Sequence, residues 1–171
     1  STAYFYGILQ NSTYNYTGNF SFACNNLTIA SAAYFYGINN GLGNATFNIL
    51  GNSTINGYVF IYYSSFIYYS SFFGIYANSA SANYGSGICT FNSNNLTLTN
   101  QARFYGKYFN QIQSLPPPGG NFNSTISQDL TIGSDNTDCF YYGIYNYISG
   151  STIYGLCSGD ANLTVNGNMT L

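Results

Sequence analysis

Hydrophobic residues in this chain form short runs, and no run has the 3.6-residue period of an amphipathic helix. The runs are rich in Tyr, Phe, Ile, Val and Thr, which favour strands. Gly and Asn interrupt the runs, and turn-forming pairs occur at Asn40-Gly41, Asn56-Gly57, Gly119-Gly120 and Asn166-Gly167. The pattern predicts an all-β protein.

Two short motifs recur along the chain. One is Asn or Asp, any residue, Thr and an aliphatic residue, with copies that begin at Asn26, Asn52, Asn95, Asn123, Asp129, Asn162 and Asn168. The other is two aromatic residues and a glycine, with copies that end at Gly7, Gly37, Gly74, Gly106 and Gly143. We interpret them as a degenerate repeat of strand-turn-strand units, and biased composition is the alternative. Related copies favour a two-sheet sandwich.

The most apolar stretch, Tyr58–Tyr76, contains a six-residue repeat in Ile61–Phe66 and Ile67–Phe72. A membrane-spanning helix is the competing interpretation of such a stretch. Its Tyr and Ser residues are spread through the segment instead of gathering at the ends, where a membrane belt would place the aromatic residues. An even period keeps each residue type on one face of a strand. We therefore predict one long strand or two consecutive strands, and no transmembrane segment.

Charged residues are almost absent from the chain. Two are basic and four are acidic, and neither Glu nor His occurs: Arg103, Lys107, Asp129, Asp135, Asp138 and Asp160. Without His or Glu, neither a Ser-His-Asp triad nor a pair of catalytic Glu residues can form, so we expect no enzyme. The basic residues are too few to neutralise the phosphates of a nucleic acid. Because so few groups titrate, we also expect tolerance of acid.

The charged residues suggest no metal or cofactor site. Arg103 and Lys107 are four residues apart on a predicted strand, so both should lie on one face, solvated or paired with Asp. The segment Gly133–Asp138 could offer two carboxylates to Ca²⁺, but an acidic, hydrogen-bonded turn is the simpler interpretation. Sugar binding by exposed Tyr and Asn side chains is a further alternative to their packing within strands.

The four cysteines are even in number, have no CxxC spacing and have no His partners. This favours two disulfides formed outside the cytosol over a zinc site. Sequence order suggests Cys24–Cys89 and Cys139–Cys157, one of three possible pairings. Four free, buried thiols are the alternative.

The chain carries ten Asn-x-Ser/Thr acceptor sequences for N-glycans. We expect most of them to be glycosylated, although abundant Asn, Ser and Thr would produce some by chance. The even spacing of the first three places them on one face of an extended strand. The acceptors are Asn11, Asn15, Asn19, Asn26, Asn44, Asn52, Asn95, Asn123, Asn162 and Asn168.

The first residues form an apolar segment that ends where the glycosylation sequences begin. The chain opens Ser1-Thr2-Ala3 without Met, which suits a processed form, and Ala3–Leu9 follows as an apolar strand. A strand that is apolar on both faces should be buried, either in its own sheet or in a groove of a neighbouring subunit. Farther along, Leu115–Gly120 is too rich in Pro and Gly for a central strand.

Together these features resemble the subunits of archaeal threads, which are extracellular filaments built by donor-strand exchange. The resemblance covers the whole chain in character and has no sharp motif. It implies an immunoglobulin-like, pilin-like β-sandwich with residues 1–20 as donor strand and connector and residues 21–171 as one domain. It also implies identical subunits as partners in a linear or helical polymer, an adhesive role, and N-glycans without a cofactor. The implied donor-strand residues are Ala3, Tyr4, Phe5, Tyr6, Ile8 and Leu9.

A surface-layer or adhesin module is the alternative to the filament subunit. In such a module the N-terminal strand would pair within its own chain.

Overall fold

A computed structural model describes residues 3–9, 17–30, 32–60, 66–78, 86–110, 119–133, 138–147 and 159–171. Over these ranges every regular element is a strand, which confirms the all-β prediction. In chain order the strands are β1 (Ala3–Leu9), β2 (Phe20–Cys24), β3 (Leu27–Ala30), β4 (Ala33–Asn39), β5 (Ala45–Asn56), β6 (Tyr58–Phe60), β7 (Phe66–Tyr68), β8 (Ser71–Asn78), β9 (Cys89–Thr99), β10 (Arg103–Asn110), β11 (Phe122–Ile126), β12 (Leu130–Ile132), β13 (Phe140–Tyr147), β14 (Ala161–Val165) and β15 (Met169–Thr170).

Two sheets of parallel strands make up the fold. Sheet A has the order β1-β4-β8-β10-β13. Sheet B has eight strands, in which the long strands β5 and β9 each pair with two shorter strands in succession. Its remaining strands, β14 and β15, pair with β11 and β12.

The chain visits sheet A and then sheet B five times, and each visit lies beside the one before. We call each visit a coil: β1–β3, β4–β5, β8–β9, β10–β12 and β13–β15 form coils 1 to 5. This stacking is the architecture of a parallel β-solenoid. The strands β6 and β7 form a separate antiparallel hairpin between coils 2 and 3.

The repeat predicted from the two motifs corresponds to these coils. The aromatic-aromatic-Gly copies stack in register across sheet A, so that Phe35 lies beside Phe72 and Phe72 beside Phe104. Five copies of the Asn/Asp-x-Thr motif occupy one equivalent place in sheet B.

The immunoglobulin-like, pilin-like sandwich is not confirmed. Such sandwiches pair their strands antiparallel, whereas all strand pairs within sheets A and B are parallel. The physical reason is that each motif copy returns to the same side of the molecule one strand farther along, instead of reversing through a hairpin. The division at residue 20 stays a prediction, and in the single chain β1 belongs to sheet A.

The core lies between the two sheets and consists mainly of Phe, Ile and Leu. The rings of Phe72 and Phe104 stack with their centroids 4.8 Å apart, and Phe91 of sheet B meets Phe104 edge-on at 4.9 Å. All three side chains are fully buried. Burial stabilises the fold by about 1.5–3 kcal/mol for each such side chain, and well-placed ring pairs add about 0.5–1.5 kcal/mol.

The glycine of the aromatic-aromatic-Gly motif makes room for this core. A Cβ added to Gly106 would overlap the ring of Phe122, and one added to Gly74 would overlap Sγ of Cys89. Glycine therefore lets the side chains of sheet B approach the backbone of sheet A.

The predicted Cys24–Cys89 disulfide is not formed, and both residues carry free thiols. Cys24 lies beside Ile49 of β5, and Ile49 lies beside Ser93 of β9, four residues beyond Cys89. Two strand spacings of about 4.8 Å and this offset exceed the roughly 7 Å between Cα atoms that a disulfide allows. Cys139 is also a free thiol, and its predicted partner, Cys157, lies outside the described residues.

Candidate functional sites

Asparagine and aspartate side chains form two ladders that run from coil to coil along sheet B. The first ladder lies directly before the point where the chain enters sheet B in each coil, and it includes Asn19, Asn44, Asn121 and Asp160. The second contains Asn26, Asn52, Asn95, Asp129 and Asn168, the first residues of the Asn/Asp-x-Thr motif. The second ladder, with Asn19 and Asn44 of the first, falls on residues that sequence reasoning had singled out as glycan acceptors or motif positions, whereas it had named Asp160 only as a charged residue and had not singled out Asn121.

The hydrogen bonds of the ladders have a direction. Oδ1 of Asn26 accepts from the backbone N–H of Asn52 at 2.9 Å, and Oδ1 of Asn19 accepts from the N–H of Asn44 at 2.9 Å. In coils 4 and 5, Asp129 Oδ1 accepts from the Asn168 N–H at 2.8 Å. In each of these bonds the side-chain oxygen belongs to one coil and the N–H to the next.

Most of the predicted glycan acceptors belong to these ladders. Asn19 and Asn44 lie in the first ladder, and Asn26, Asn52, Asn95 and Asn168 lie in the second. Asn162 donates from Nδ2 to Oδ1 of Asn123 at 3.1 Å, whereas Asn11 and Asn15 lie outside the described residues. These amides therefore have a structural role whether or not they carry glycans, and their glycosylation stays a prediction.

The N-terminal end of the solenoid exposes apolar side chains. β1 pairs with β4 on one side, and its other edge has no strand beside it among the described residues. Tyr4 is 58% exposed and Leu9 is 47% exposed, and the ring of Phe5 covers Phe35 at 4.4 Å. Most of the six predicted donor-strand residues are thus exposed at this edge, and their insertion into a neighbouring subunit stays a prediction.

The opposite end of the solenoid is also open. Within the described part of the chain, β13, β14 and β15 each have a neighbouring strand on one side only. Apolar side chains are exposed here as well, with Leu163 at 38% and Met169 at 52%. Both ends therefore present an unpaired strand edge next to an apolar surface.

The prediction that Lys107 is a solvated cation on the same face as Arg103 is wrong. It is fully buried, and in sheet A it lies in register between Ile75 and Ile144. Both Gly106 and Lys107 face the interior, which breaks the alternation along β10. The Lys107 ammonium donates hydrogen bonds to three backbone carbonyls, those of Gly87 at 3.0 Å and of Gly119 and Gly120 at 2.8 Å.

The Lys107 ammonium thereby connects strand β10 to the chain just before β9 and β11. The sequence did contain a signal for this burial, which sequence reasoning missed. In each of the other coils the residue equivalent to Lys107 is an isoleucine, namely Ile8, Ile38, Ile75 and Ile144.

The predicted acidic turn and the apolar stretch are described only in part. Asp135 and residues 61–65 lie outside the described residues, and Asp138 lies just before β13. In the described ranges no three His, Cys, Asp or Glu side chains come together as a metal site. No helix in those ranges is long and apolar enough to cross a membrane.

Comparisons of the chain with protein-family models, with curated proteins and with solved structures gave no match.

Proposed function

We propose that this chain is a structural subunit of an extracellular, N-glycosylated filament, to which subunits add head to tail through the N-terminal strand β1. The observation that carries the proposal is that both ends of the solenoid are open and that their features match. An exposed strand edge is a template for pairing with another chain, and strand addition is a known mode of protein association.

The two ends match in register. Continuing the coil repeat would place β1 of one subunit beside β13 of the next, with Phe5 beside Tyr141 and Ile8 beside Ile144. The aromatic-aromatic-Gly motif would then continue across the junction as it does within the chain. Stacked rings of this kind contribute about 0.5–1.5 kcal/mol for each pair beyond the burial of their area.

The two ends also match in hydrogen bonding. In the first coil the backbone N–H groups of Asn19 and Asn26 have no partner among the described residues. In the last coil Asp160 and Asn168 offer the side-chain oxygens that would accept from them. A head-to-tail junction satisfies both pairs, and because the contact is heterologous it propagates instead of closing.

Composition supports an extracellular, non-catalytic role for the subunit. Only 4% of the residues are charged, so neutral polar groups and glycans would have to keep such a polymer soluble. The proposed partners are identical subunits, and adhesion or cell-cell contact is the proposed use of the filament.

One observation favours a second candidate function, a surface-layer or adhesin module. In the single chain β1 already pairs with β4 over Ala3–Leu9. Such a module would leave the outer edge of β1 unpaired, whereas the filament would pair that edge with β13 of the next subunit.

Electron microscopy of the purified protein, with a pair of matched variants, tests the proposal. Leu9→Lys adds a charge to the exposed end strand β1, and Leu50→Lys adds the same charge at a side chain that is 73% exposed in the middle of the solenoid. We expect filaments from the parent protein and from Leu50→Lys, and only single particles from Leu9→Lys. Single particles from the parent protein at every concentration would favour the second candidate.

A further inference from the structure

The outer face of sheet A is built from columns of aromatic side chains that continue from coil to coil. In one column the rings of Tyr36, Phe73 and Tyr105 stack with centroid distances of 4.7 and 4.9 Å. The next column contains Tyr34, Ser71 and Arg103 in register. Ser71 and Arg103 have no rings, so the stacking of Tyr4 on Tyr34 does not continue past Tyr34, and the column is interrupted by a notch at the buried Ser71.

The notch is a cavity of about 170 Å³. This is smaller than the ~300–1,000 Å³ of pockets that hold drug-sized ligands. Its size suits one ring of a longer chain molecule. The side chains that define it are Tyr34, Tyr36, Tyr69, Ser71, Arg103 and Tyr105.

Arg103 gives the notch a positive charge. Its guanidinium carbon lies 3.4 Å from the centroid of the Tyr69 ring and 5.6 Å from that of Phe140. Its Nε is buried without a hydrogen-bond partner in the described part of the chain. Because Nε is buried, a ligand would meet the outer N–H groups of the guanidinium, and the oxygens of a carboxylate or sulfate match those planar donors.

The tyrosine hydroxyls of the notch are neutral donors, and the Tyr105 oxygen already hydrogen-bonds the Arg103 side chain. Burial raises the pKa of Tyr34 and of Tyr105, and the Arg103 guanidinium opposes part of that rise. Both phenols therefore stay protonated at neutral pH, and each can donate its O–H to a ligand oxygen.

We propose that this notch binds an acidic saccharide, one sugar ring of which carries a carboxylate or a sulfate. The apolar C–H face of the ring lies against the tyrosine rings, its hydroxyl groups meet the phenols, and its anionic group meets Arg103. A single guanidinium suits a single negative charge on each bound ring. The inference does not depend on polymerisation, because coils 2, 3 and 4 of one chain form the notch.

Isothermal titration of the full chain with three tetrasaccharides tests the proposal. The probes are a carboxylated galacturonate chain, a sulfated galactose chain and a neutral galactose chain. We expect binding of at least one anionic probe and weaker binding of the neutral one. Arg103→Gln should weaken the anionic binding by about tenfold and leave the neutral binding unchanged. Which anionic probe binds more tightly identifies the preferred group.

A second variant tests the shape of the site without removing its charge. Ser71→Tyr fills the gap in the column between Tyr34 and Arg103 and should abolish binding of all three probes. Thr90→Tyr, which adds the same side chain to sheet B outside any glycan acceptor sequence, is the control and should bind like the parent, with the folding of each variant checked by circular dichroism. The proposal is overturned if the parent binds neither anionic probe, or if Arg103→Gln binds them as tightly as the parent. If Ser71→Tyr does not fold, the result with Arg103→Gln decides.

Discussion

The side-chain nitrogen of Asn95 donates a 2.8 Å hydrogen bond to Oδ1 of Asn52, its equivalent one coil earlier. The same nitrogen donates at 3.0 Å to Oε1 of Gln128, so both of its hydrogens are used. Attachment of a glycan would replace one of these hydrogens. Asn26, at the N-terminal end of the same ladder, is exposed, and among the described residues its side chain uses only its oxygen.

We therefore predict lower glycan occupancy at Asn95 than at Asn26 in the native protein. Peptide mass spectrometry with quantification of occupancy at each acceptor sequence measures this directly. Equal, near-complete occupancy at both residues would mean that the ladder does not restrict glycosylation.

The Asn95 amide should also stabilise the fold. Asn95→Ala removes its two donated bonds and leaves the backbone N–H of Asp129 without the side-chain oxygen that it now contacts at 2.9 Å. Because these hydrogen bonds are exposed to solvent, we expect a loss of about 0.5–1.5 kcal/mol in urea unfolding. Thr97→Val removes the same acceptor sequence but keeps the amide, so a comparable loss in that variant would point to the glycan instead.

Replacing the buried Lys107 should destabilise the protein even though its column is otherwise aliphatic. Lys107→Met keeps an apolar chain of similar length but removes the donor from three backbone carbonyls. An unsatisfied buried polar group costs about 1–3 kcal/mol, so the midpoint of urea unfolding should fall clearly. The control is Ile75→Met, which introduces the same residue at the equivalent position of the neighbouring strand β8. It should lower the free energy of unfolding by less than about 1.5 kcal/mol. Equal losses in the two variants would contradict a role for the ammonium.

Engineered cysteines test the register of the proposed junction between subunits. Tyr6→Cys combined with Tyr142→Cys would bring the two thiols side by side across a head-to-tail contact, within the ~4.4–6.8 Å of a disulfide. We expect oxidation to give a series of covalent oligomers on a non-reducing gel. Tyr4→Cys with Tyr142→Cys shifts the pair by two residues and should give few. Similar yields from the two pairs, or none from either, would reject this register.

Stability should fall at alkaline pH. Burial raises the pKa of Tyr108, Tyr141 and Cys89 to about 12 each. The ordinary pKa is about 10 for Tyr and about 8.5 for Cys. In the window between the unfolded and folded pKa values, the native state binds more protons than the unfolded state, so stability decreases as pH rises. We expect the free energy of unfolding to be level up to about pH 8 and to decline steadily above it. A level profile to pH 11 would show that these side chains are not buried in solution.

The sequence revealed the repeat but not how its copies are arranged in space. The aromatic-aromatic-Gly motif around Phe35, Phe72 and Phe104 marks equivalent positions. Equivalence alone does not distinguish parallel stacking from duplicated halves of a sandwich. The turn pair Asn56-Gly57 lies where β5 of sheet B ends, but a turn pair alone does not tell in which sheet the chain continues.

The residues of the candidate sites could be picked out in the sequence, but their structural roles could not. Every asparagine of the Asn/Asp-x-Thr motif was recognised, but only as a glycan acceptor, because the partner of Asn95 is 43 residues away and its proximity depends on the fold. The even spacing of Arg103 and Lys107 predicted that both lie on one face, and this was wrong because two successive residues of β10 face inward. The notch at Ser71 depends on its alignment with Tyr34 and Arg103, which no local pattern encodes.

The first ladder has a gap, and the gap has a mechanical consequence. At this position Asn19, Asn44 and Asn121 each offer a side-chain oxygen to the next coil. Coil 3 has Ile88 there, and its side chain cannot accept a hydrogen bond. The asparagine ladder therefore supplies no side-chain hydrogen bond between coils 3 and 4 at this corner, where the Lys107 ammonium of coil 4 instead donates to the Gly87 carbonyl of coil 3. Tension along the solenoid axis loads every bond between two coils together, because the strands lie across that axis. Under such a load the buried Lys107 ammonium takes the place of an amide as the side-chain link across this seam.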